Sequence, residues 1–351
     1  MSTQASLGSR PLAGTISGIA PGLLLSAAVA IAGYLVAPQV ARVVPIPSMV
    51  FALLFGIALN PIAERPLMRP GTAFCVRTIL RWAVALLGLR VGLNDIAALG
   101  AGTAILIVVA MALTIVSGFV FARWNGRSAG FGALVGVGTG VCGASATLAV
   151  STVVPDYEGK QADIAFVVVA INSLATVAML IYPPLCILVG FDPHATGIML
   201  GGTIHDVAQV AGAGYAVSAT VGNTAVIVKL FRVFLLLPVV LCVSGYFSRM
   251  GMKHGRARVP VPLFAIMFLV LCVLNSAIPL VPSLLPTYTP IKGALVEASN
   301  WGMLLAIGAL GLSTSVKAII RLGWRHIVTV LGTTAVIFAV VTGGLFFIHV
   351  G

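Results

Sequence analysis

The chain has 351 residues, of which 60% are hydrophobic and only 8% are charged, and its mean hydropathy is +1.13. A soluble domain carries about 25% charged residues to keep its surface hydrated, so this composition excludes a soluble globular protein. The net charge of +12 does not indicate nucleic-acid binding, because the basic residues stand between apolar runs rather than on one hydrated face. The composition therefore predicts an integral membrane protein.

The five cysteines all lie within apolar runs, without a CxxC pair or a neighbouring histidine. The sequence therefore indicates neither a disulfide framework nor a metal site, and we expect no cofactor. The chain also lacks the GxxxxGK[ST] motif of nucleotide-driven pumps.

Eleven apolar segments predict an all-α integral membrane protein with about 11 transmembrane helices. We expect residues 1–18 to form a cytoplasmic tail and residues 19–351 to form a single transmembrane domain. The first segment has the length of a spanning helix rather than that of a signal peptide, so we expect it to be retained. The segments cover approximately 19–37, 46–60, 74–93, 98–121, 129–152, 163–189, 195–218, 223–247, 260–280, 291–314 and 324–348.

Charges in the connections between segments predict the orientation. The connections after segments 2, 4, 8 and 10 are basic, whereas the one after segment 5 is acidic on balance (Asp156, Glu158, Lys160, Asp163). Because basic loops stay in the cytoplasm, eleven crossings place the N-terminus inside and the C-terminus outside. The basic residues are Arg65, Arg69, Arg77, Arg123, Arg127, Arg249, Lys253, Arg256, Arg258, Lys317, Arg321 and Arg325.

Two stretches of the chain resemble each other. Pro47-SMVFALLFGIAL-Asn60 matches Pro262-LFAIMFLVLCVL-Asn275, and Leu86-LGLRVGL-Asn94 matches Leu304-LAIGALGL-Ser313. The matched segments are seven crossings apart and run in opposite directions, which is the pattern of the inverted repeats of secondary transporters. Chance similarity between apolar strings is the alternative.

Segments 5 and 7 carry glycines and small polar residues at their centres, in Gly136-VGTGVCGAS-Ala146 and Gly201-GTIHDVAQVAGAG-Tyr215. Each glycine weakens a helix by about 1 kcal/mol relative to alanine. Unwound backbone at membrane depth occurs where it is buried in protein or lines a cavity. We therefore expect two helices interrupted at the bilayer midplane around a solute site, the alternative being that the glycines only allow close helix packing.

Charged residues also occur inside the apolar segments 7 and 8. Asp206 stands at the middle of segment 7, where a carboxylate costs roughly 2.5–3.5 kcal/mol, so it is expected to have a function or a partner. In segment 8, Lys229 and Arg232 share a helix face. They are expected to point inward and to bind an anion, Asp206 or both. The alternatives are a structural ion pair for Asp206, a packing role for His205, and cations that reach out to the membrane surface.

These considerations give a set of candidate site residues. The candidate solute-binding residues are Gly138, Thr139, Gly140, Cys142, Gly143, Ser145, Asn172, His205, Gln209, Lys229 and Arg232. The candidate ion-coupling residues are Asp206 and His205.

The chain resembles a bacterial family of membrane proteins that carries the name sulfate exporters. The resemblance covers nearly the whole chain and is carried by Leu86-LGLRVGL, Gly136-VGTGVCGASA, Gly201-GTIHDVAQVAGAG, Val228-KLFRV and Ala309-LGLSTS. That family is placed near bile-acid/sodium symporters and cation–proton antiporters. The resemblance implies inverted repeats, two crossed interrupted helices, and alternating access by an elevator motion.

We expect an ion-coupled secondary transporter of the inner membrane that exports or exchanges a small anionic solute. Its expected partners are the solute, a proton or sodium ion and membrane lipid, with a homodimer as a candidate assembly. One alternative is a cation–proton antiporter that uses Asp206 without an anionic substrate. Another is an intramembrane enzyme with Cys142 or Ser145 as nucleophile beside His205. We do not expect an enzyme, because adjacent helical residues such as His205 and Asp206 diverge by about 100°.

The predicted orientation can be tested with reporter fusions. A reporter fused after His349 should be active outside the cytoplasm, and one inserted between Arg249 and Arg258 should be active inside it. Equal signals from the two fusions would contradict the model with eleven crossings.

Overall fold

The computed structural model describes residues 12–40, 48–250, 263–314 and 324–350, which are mostly helical, with no strand among them. Eight of the described helices are long and apolar enough to cross a bilayer, and three shorter apolar helices accompany them. The predicted all-α membrane fold is confirmed. The helices are α1 (Leu12–Val40), α2 (Ser48–Ala58), α3 (Arg69–Leu89), α4 (Gly100–Trp124), α5 (Ala129–Gly140), α6 (Ala144–Ser151), α7 (Lys160–Val189), α8 (Pro193–Thr203), α9 (Val207–Val217), α10 (Ala219–Arg249), α11 (Leu263–Leu280), α12 (Leu285–Leu312) and α13 (Trp324–Val350).

Some predicted features lie outside the described residues. They are positions 1–11 of the tail, the starts of the matched strings at Pro47 and Pro262, and the basic residues Lys253, Arg256, Arg258, Lys317 and Arg321. Helix α1 begins at Leu12, so it includes residues that the prediction assigned to the tail.

The chain divides into two compact units. The first contains α1, α2, the beginning of α3 up to Arg81, and the part of α12 from Trp301. Its helices approach closely through glycines, since the backbones of Gly22 and Gly71 are in direct contact. Small residues at helix contacts are typical of membrane proteins, because no hydrophobic force drives apolar helices together in lipid.

The second unit contains the rest of the described helices, from Trp82 to Asn300 together with α13. Helix α13 runs antiparallel to α4, since Gly332 near its beginning contacts Phe121 and Gly344 near its end contacts Leu106.

Helices α5 and α6 form a helical hairpin, called hairpin 1. Ser128 begins α5, because its hydroxyl accepts a hydrogen bond from the N–H of Phe131 at 3.1 Å. After α5 ends, Gly143 adopts a left-handed backbone conformation (φ +67°) in which the chain reverses. The backbone of Gly138 packs against the side chain of Thr147. The two legs therefore run side by side in opposite directions.

The base of hairpin 1 is held by the carboxylate of Asp163. One oxygen is 2.6 Å from Nη2 of Arg127, which precedes the hairpin, and 3.4 Å from Nε2 of His326 in α13. The other oxygen accepts a 3.0 Å hydrogen bond from Tyr157, which follows the hairpin. Burial and the nearby Asp163 raise the pKa of Tyr157, so its hydroxyl remains a donor. Segment 5 thus enters and leaves at one end of the unit, called the Arg127 end.

Helices α8 and α9 form a second hairpin, called hairpin 2. The carboxylate of Asp192 begins α8 by accepting a hydrogen bond from the N–H of Ala195 at 2.7 Å. The carboxylate of Asp206 begins α9 in the same way, with the N–H of Ala208 at 2.8 Å. Between the two helices, Ile204 and Asp206 have extended backbone conformations.

Both legs of hairpin 2 lie along α10. Gly197 contacts Thr224 and Gly201 contacts Val228, so α8 runs parallel to α10. Gly214 of α9 returns to the residues around Thr224, so α9 runs antiparallel to α10. Segment 7 therefore also enters and leaves at one end. This is the end opposite to Arg127, called the Phe191 end, because Phe191 stacks on Phe346 near the end of α13.

The predicted interruptions of segments 5 and 7 are confirmed, but the expectation that these segments cross the membrane is wrong. The legs have 12 residues in α5 and 11 in α8, so each spans about half of a hydrocarbon core roughly 30 Å thick. The acidic connection with Asp156 and Glu158 consequently lies at the Arg127 end rather than opposite to it. Each hairpin removes one crossing from the chain before Arg249. Because two crossings are removed, the predicted sides of Arg249 and of the C-terminus do not change.

The internal repeat corresponds to two equivalent contacts, one within each unit. In the first unit, Nδ2 of Asn60 donates to the carbonyl of Leu312 at 2.8 Å. In the second, Nδ2 of Asn275 donates to the carbonyl of Val91 at 3.2 Å. Each asparagine thus ends the first matched string of its own repeat. It donates a hydrogen bond to a carbonyl near the end of the second matched string, which belongs to the other repeat.

Glycine contacts repeat in the same way. Gly311 packs on the carbonyl of Leu53, and Gly88 packs on the carbonyl of Phe268. Leu53 and Phe268 hold the same position in the two matched strings. This equivalence is what an inverted repeat requires, although Gly88 and Gly311 are offset by about one helical turn from the sequence match.

Hairpin 1 predicts that the residues before and after it face the same side of the membrane. We expect cysteines introduced as Arg123→Cys and Glu158→Cys to react with a membrane-impermeant maleimide from the same side. A third variant, His194→Cys at the Phe191 end, should react only from the other side. Labelling in intact spheroplasts and in inverted vesicles measures this, with the parent chain as the baseline for its own five cysteines. Reaction of the first two variants from opposite sides would show that segment 5 crosses.

Candidate functional site

The tips of the two hairpins meet beside α10, at two cations that are fully buried. Lys229 and Arg232 both have no exposed surface. Nζ of Lys229 donates to the carbonyl of Val141 in the tip of hairpin 1 at 2.8 Å and to that of Ile204 in the tip of hairpin 2 at 3.0 Å. One ammonium group therefore joins both tips.

Arg232 makes the same connection with its whole guanidinium group. Nε and Nη2 donate to the carbonyls of Thr139 and Gly140 in hairpin 1 at 2.7–3.1 Å. Nη1 donates to the carbonyls of Gly201, Gly202 and Ile204 in hairpin 2 at 2.8–3.3 Å. These carbonyls end α5 and α8, and the end of a helix carries partial negative charge and lacks intrahelical donors.

The two cations thus point inward as expected, but they bind backbone carbonyls rather than Asp206. Within the described parts of the chain, no lysine or arginine nitrogen lies within 4.0 Å of the Asp206 carboxylate. That carboxylate instead accepts a hydrogen bond from the N–H of Ala208 and caps α9. The alternative of a fixed ion pair between Asp206 and Lys229 is therefore wrong, as is that of cations reaching the membrane surface.

Helix α13 contributes two hydroxyl groups to the tips. Oγ1 of Thr333 lies 3.1 Å from Oγ1 of Thr139, and Oγ1 of Thr334 lies 3.1 Å from Nε2 of His205. These threonines are not among the site residues predicted from the sequence. The adjacent pair inside an apolar segment was the available signal, but threonines in membrane helices usually bond to their own backbone.

Two buried side chains at hairpin 2 have polar atoms without a protein partner. They are Gln209, at both amide atoms, and His205, at Nδ1. Neither residue has exposed surface. A buried polar group without a hydrogen bond costs about 1–3 kcal/mol, so these atoms indicate a place where water or a ligand binds.

The first residues of α6 and α9 are accessible, unlike the rest of the tips. Ser145 is exposed, and Ala144, Asp206 and Val207 are partly exposed. The first N–H groups of a helix have no intrahelical acceptor and lie at its positive end. The tip site, as we call it, consists of these two helix beginnings with His205 and Gln209.

The remaining predicted residues have mixed positions. Cys142 and Gly143 form the buried turn of hairpin 1, and Gly138 lies in its leg. Asn172 is half-buried on α7 beside Ile171, which contacts Gly138 and Gly143. None of the described hydrogen bonds joins the Asn172 side chain to the tips.

Comparisons with known proteins agree with a membrane protein. A family model described as "Conserved hypothetical protein 698" matches residues 21–330. UPF0324 membrane protein TauZ of Paracoccus denitrificans is 40% identical, covering 95% of this chain and 97% of its own length. UPF0324 membrane protein CT0845 of Chlorobaculum tepidum is 38% identical over 93% and 88%. UPF0324 inner membrane protein YeiH of Escherichia coli is 32% identical over 85% and 84%. No solved structure matches.

The hydrogen bonds of Arg232 predict that replacing this residue lowers the stability of the protein strongly. Arg232→Met would leave the five carbonyls at the hairpin tips without these donors, and each buried carbonyl left unpaired costs about 1–3 kcal/mol. We expect the apparent Tm of the purified protein to fall by at least about 6 °C, at ~2 °C per kcal/mol. The control Arg249→Met, which removes an exposed arginine at the end of α10, should change Tm by less than about 1 °C, as expected for a surface position. Equal Tm values for the two variants would contradict the assigned role of Arg232.

Proposed function

This chain belongs to the family of the UPF0324 membrane proteins, matched by the family model of conserved hypothetical protein 698, and on that premise we propose that it is a secondary active transporter for a small anionic solute. The observation that carries the proposal is the tip site. Two helix beginnings lie where the hairpin tips meet, since Gly143 is close to the carbonyl of His205, and Gln209 and His205 carry unpartnered polar atoms in hairpin 2.

The chemistry of the tip site favours an anion. The beginnings of α6 and α9 offer backbone N–H donors and a positive helix dipole, an arrangement that binds carboxylates, sulfates and phosphates. The Gln209 amide adds a donor and an acceptor, and Nδ1 of His205 adds one further polar atom. The donors of Arg232 are already engaged by backbone carbonyls, so Arg232 holds the hairpins rather than the solute.

The arrangement of the hairpins supports transport by alternating access. One hairpin enters from the Arg127 end and the other from the Phe191 end, so the tip site is separated from each end by one hairpin. Inverted repeats and discontinuous helices around a central site are the common plan of secondary transporters. A movement that opens one hairpin base or the other would expose the same site to either side, as an elevator motion also does.

We place the Arg127 end in the cytoplasm. Arg123, Arg127 and Arg249 lie at this end of the second unit, and basic connections stay inside. The relative YeiH is named an inner membrane protein, so the inner membrane is the proposed location. The C-terminus after α13 is then extracytoplasmic.

A cation–proton antiporter and an intramembrane enzyme are less consistent with these contacts. A transported cation would meet Lys229 and Arg232 at the tips, while the Asp206 carboxylate is engaged with the beginning of α9. In an enzyme, His205 would have to activate a nucleophile. Its Nε2 is bonded to Thr334, and Nδ1 has no partner, so neither Cys142 nor Ser145 is hydrogen-bonded to it.

Gln209 offers the sharpest test of the tip site. Gln209→Leu keeps a similar volume but removes the amide, so it should weaken solute binding by about ten-fold or more, the value of one hydrogen bond to a charged group. Because the amide has no protein partner, Tm should stay the same or rise. The measurement is counterflow of labelled sulfate and methanesulfonate in proteoliposomes, together with thermal unfolding.

The matched control is Gln161→Leu, since Gln161 is exposed at the beginning of α7. It should leave counterflow unchanged. If Gln209→Leu transports as well as the wild type, the solute does not bind at the tip site. If the wild type shows no counterflow of any small anion, the proposed function itself is wrong.

A further inference from the structure

We propose that Lys229, rather than Asp206, binds the coupling proton, and that one proton binds together with each monovalent anion. The proposal rests on the proposed function, because it names the coupling ion of the same tip site. It follows from the charges that meet at the tips and from the number of hydrogen-bond donors that each cation has in use.

The charges at the tips do not cancel when every group is ionised. The two helix ends of α5 and α8 contribute about −0.5 each and the two beginnings of α6 and α9 about +0.5 each, so the dipoles cancel. Lys229 and Arg232 then supply two positive charges against the single negative charge of Asp206. One positive charge remains in a place without exposed surface around the cations. It can be removed by loss of a proton or balanced by a bound anion.

Of the two cations, Lys229 is the one whose contacts fit both protonation states. Its Nζ has two acceptors, the carbonyls of Val141 and Ile204. A neutral amine has two N–H donors, so it satisfies both carbonyls, whereas an ammonium group has a third donor that is left for the anion. Arg232 has five N–H donors that serve carbonyls of both hairpins, and a guanidinium group keeps its proton.

Asp206 is less suited to take up the proton. Its carboxylate is partly exposed, and it accepts the Ala208 N–H at the positive end of α9. The hydrogen bond and the helix dipole favour the ionised form, while burial of the carboxyl group opposes it. Protonation of Asp206 would also increase the unbalanced positive charge at the tips rather than remove it.

The other groups that face Lys229 are few. Arg232 is on the same helix, Cys142 is in the tip of hairpin 1, and His205 and Asp206 are in the tip of hairpin 2. Helix α13 contributes only hydroxyl groups here, through Thr333 and Thr334. Each of these titratable groups can be tested separately against Lys229.

The cycle that follows is a cotransport of a proton and an anion. A proton from water on one side binds to Nζ of Lys229, and its N–H donates to the arriving anion. After reorientation, the anion leaves and the proton returns to water on the other side, while the amine keeps its two bonds to the hairpin carbonyls. For a monovalent anion, the movement carries no net charge.

The linkage is measured by anion binding as a function of pH. Methanesulfonate and sulfate are suitable probes, because neither changes its charge between pH 5 and 10 and any pH dependence comes from the protein. Wild-type binding of methanesulfonate should weaken at high pH, by up to ten-fold per pH unit, since one proton is bound with the anion. Titration calorimetry in two buffers with different ionisation enthalpies should then give uptake of about one proton per anion.

The variants separate Lys229 from its neighbours. Lys229→Arg keeps a permanent cation, so binding should become independent of pH and proton uptake should disappear. Lys229→Gln keeps two N–H donors without the charge, so binding should be weak at every pH. Asp206→Asn, His205→Gln and Lys160→Gln should all retain the wild-type slope, the last as a matched lysine at the Arg127 end.

Several outcomes would overturn the proposal. One is wild-type binding without a pH slope while counterflow is intact, and another is a slope that persists in Lys229→Arg but disappears in Asp206→Asn. Calorimetry on the wild type tests proton uptake with the anion even where a variant does not fold. If the wild type neither binds nor exchanges these anions while it is folded, the proposed function fails for this class of solute, and the proton linkage fails with it.

Discussion

Eight hydrogen bonds from two adjacent cations of α10 to backbone carbonyls hold the centre of the second unit together. They solve a problem that a helix break creates in lipid. The last carbonyls of α5 and α8 have no intrahelical donors, and no water is present in the hydrocarbon core to supply them. Lys229 and Arg232 bring seven or eight donors to this place, and the negative ends of two helices stabilise positive charge that would otherwise be costly to bury.

This single arrangement explains much of what surrounds it. Because α5 and α8 end at the cations, α6 and α9 must begin beside them, and their positive ends face the accessible part of the tips. The glycines allow the close approach: Gly201 packs on α10, and Gly143 makes the reversal of hairpin 1. The proposed anion site therefore lies where the two hairpins join one pair of cations, and Gln209 with His205 would give it side-chain specificity.

Glycine has two separate roles in this chain. In the first unit, Gly22, Gly56 and Gly311 allow helix backbones to touch, as small residues do in membrane proteins. In segments 5 and 7, glycines accompany a change of chain direction. The equivalent contacts of Asn60 and Asn275 show that the weak sequence repeat reflects a structural one.

The sequence by itself determined the membrane class, the eleven apolar segments, the two interruptions and the shared face of Lys229 and Arg232, because composition and local spacing are properties of the chain. Only the tertiary structure decided that the interrupted segments fold back. A break is local, but the direction after it depends on distant contacts such as Arg127 with Asp163. The tertiary structure also decided that backbone carbonyls, not Asp206, accept the hydrogen bonds of the two cations. Every residue has a carbonyl, and the sequence does not mark which ones remain unpaired.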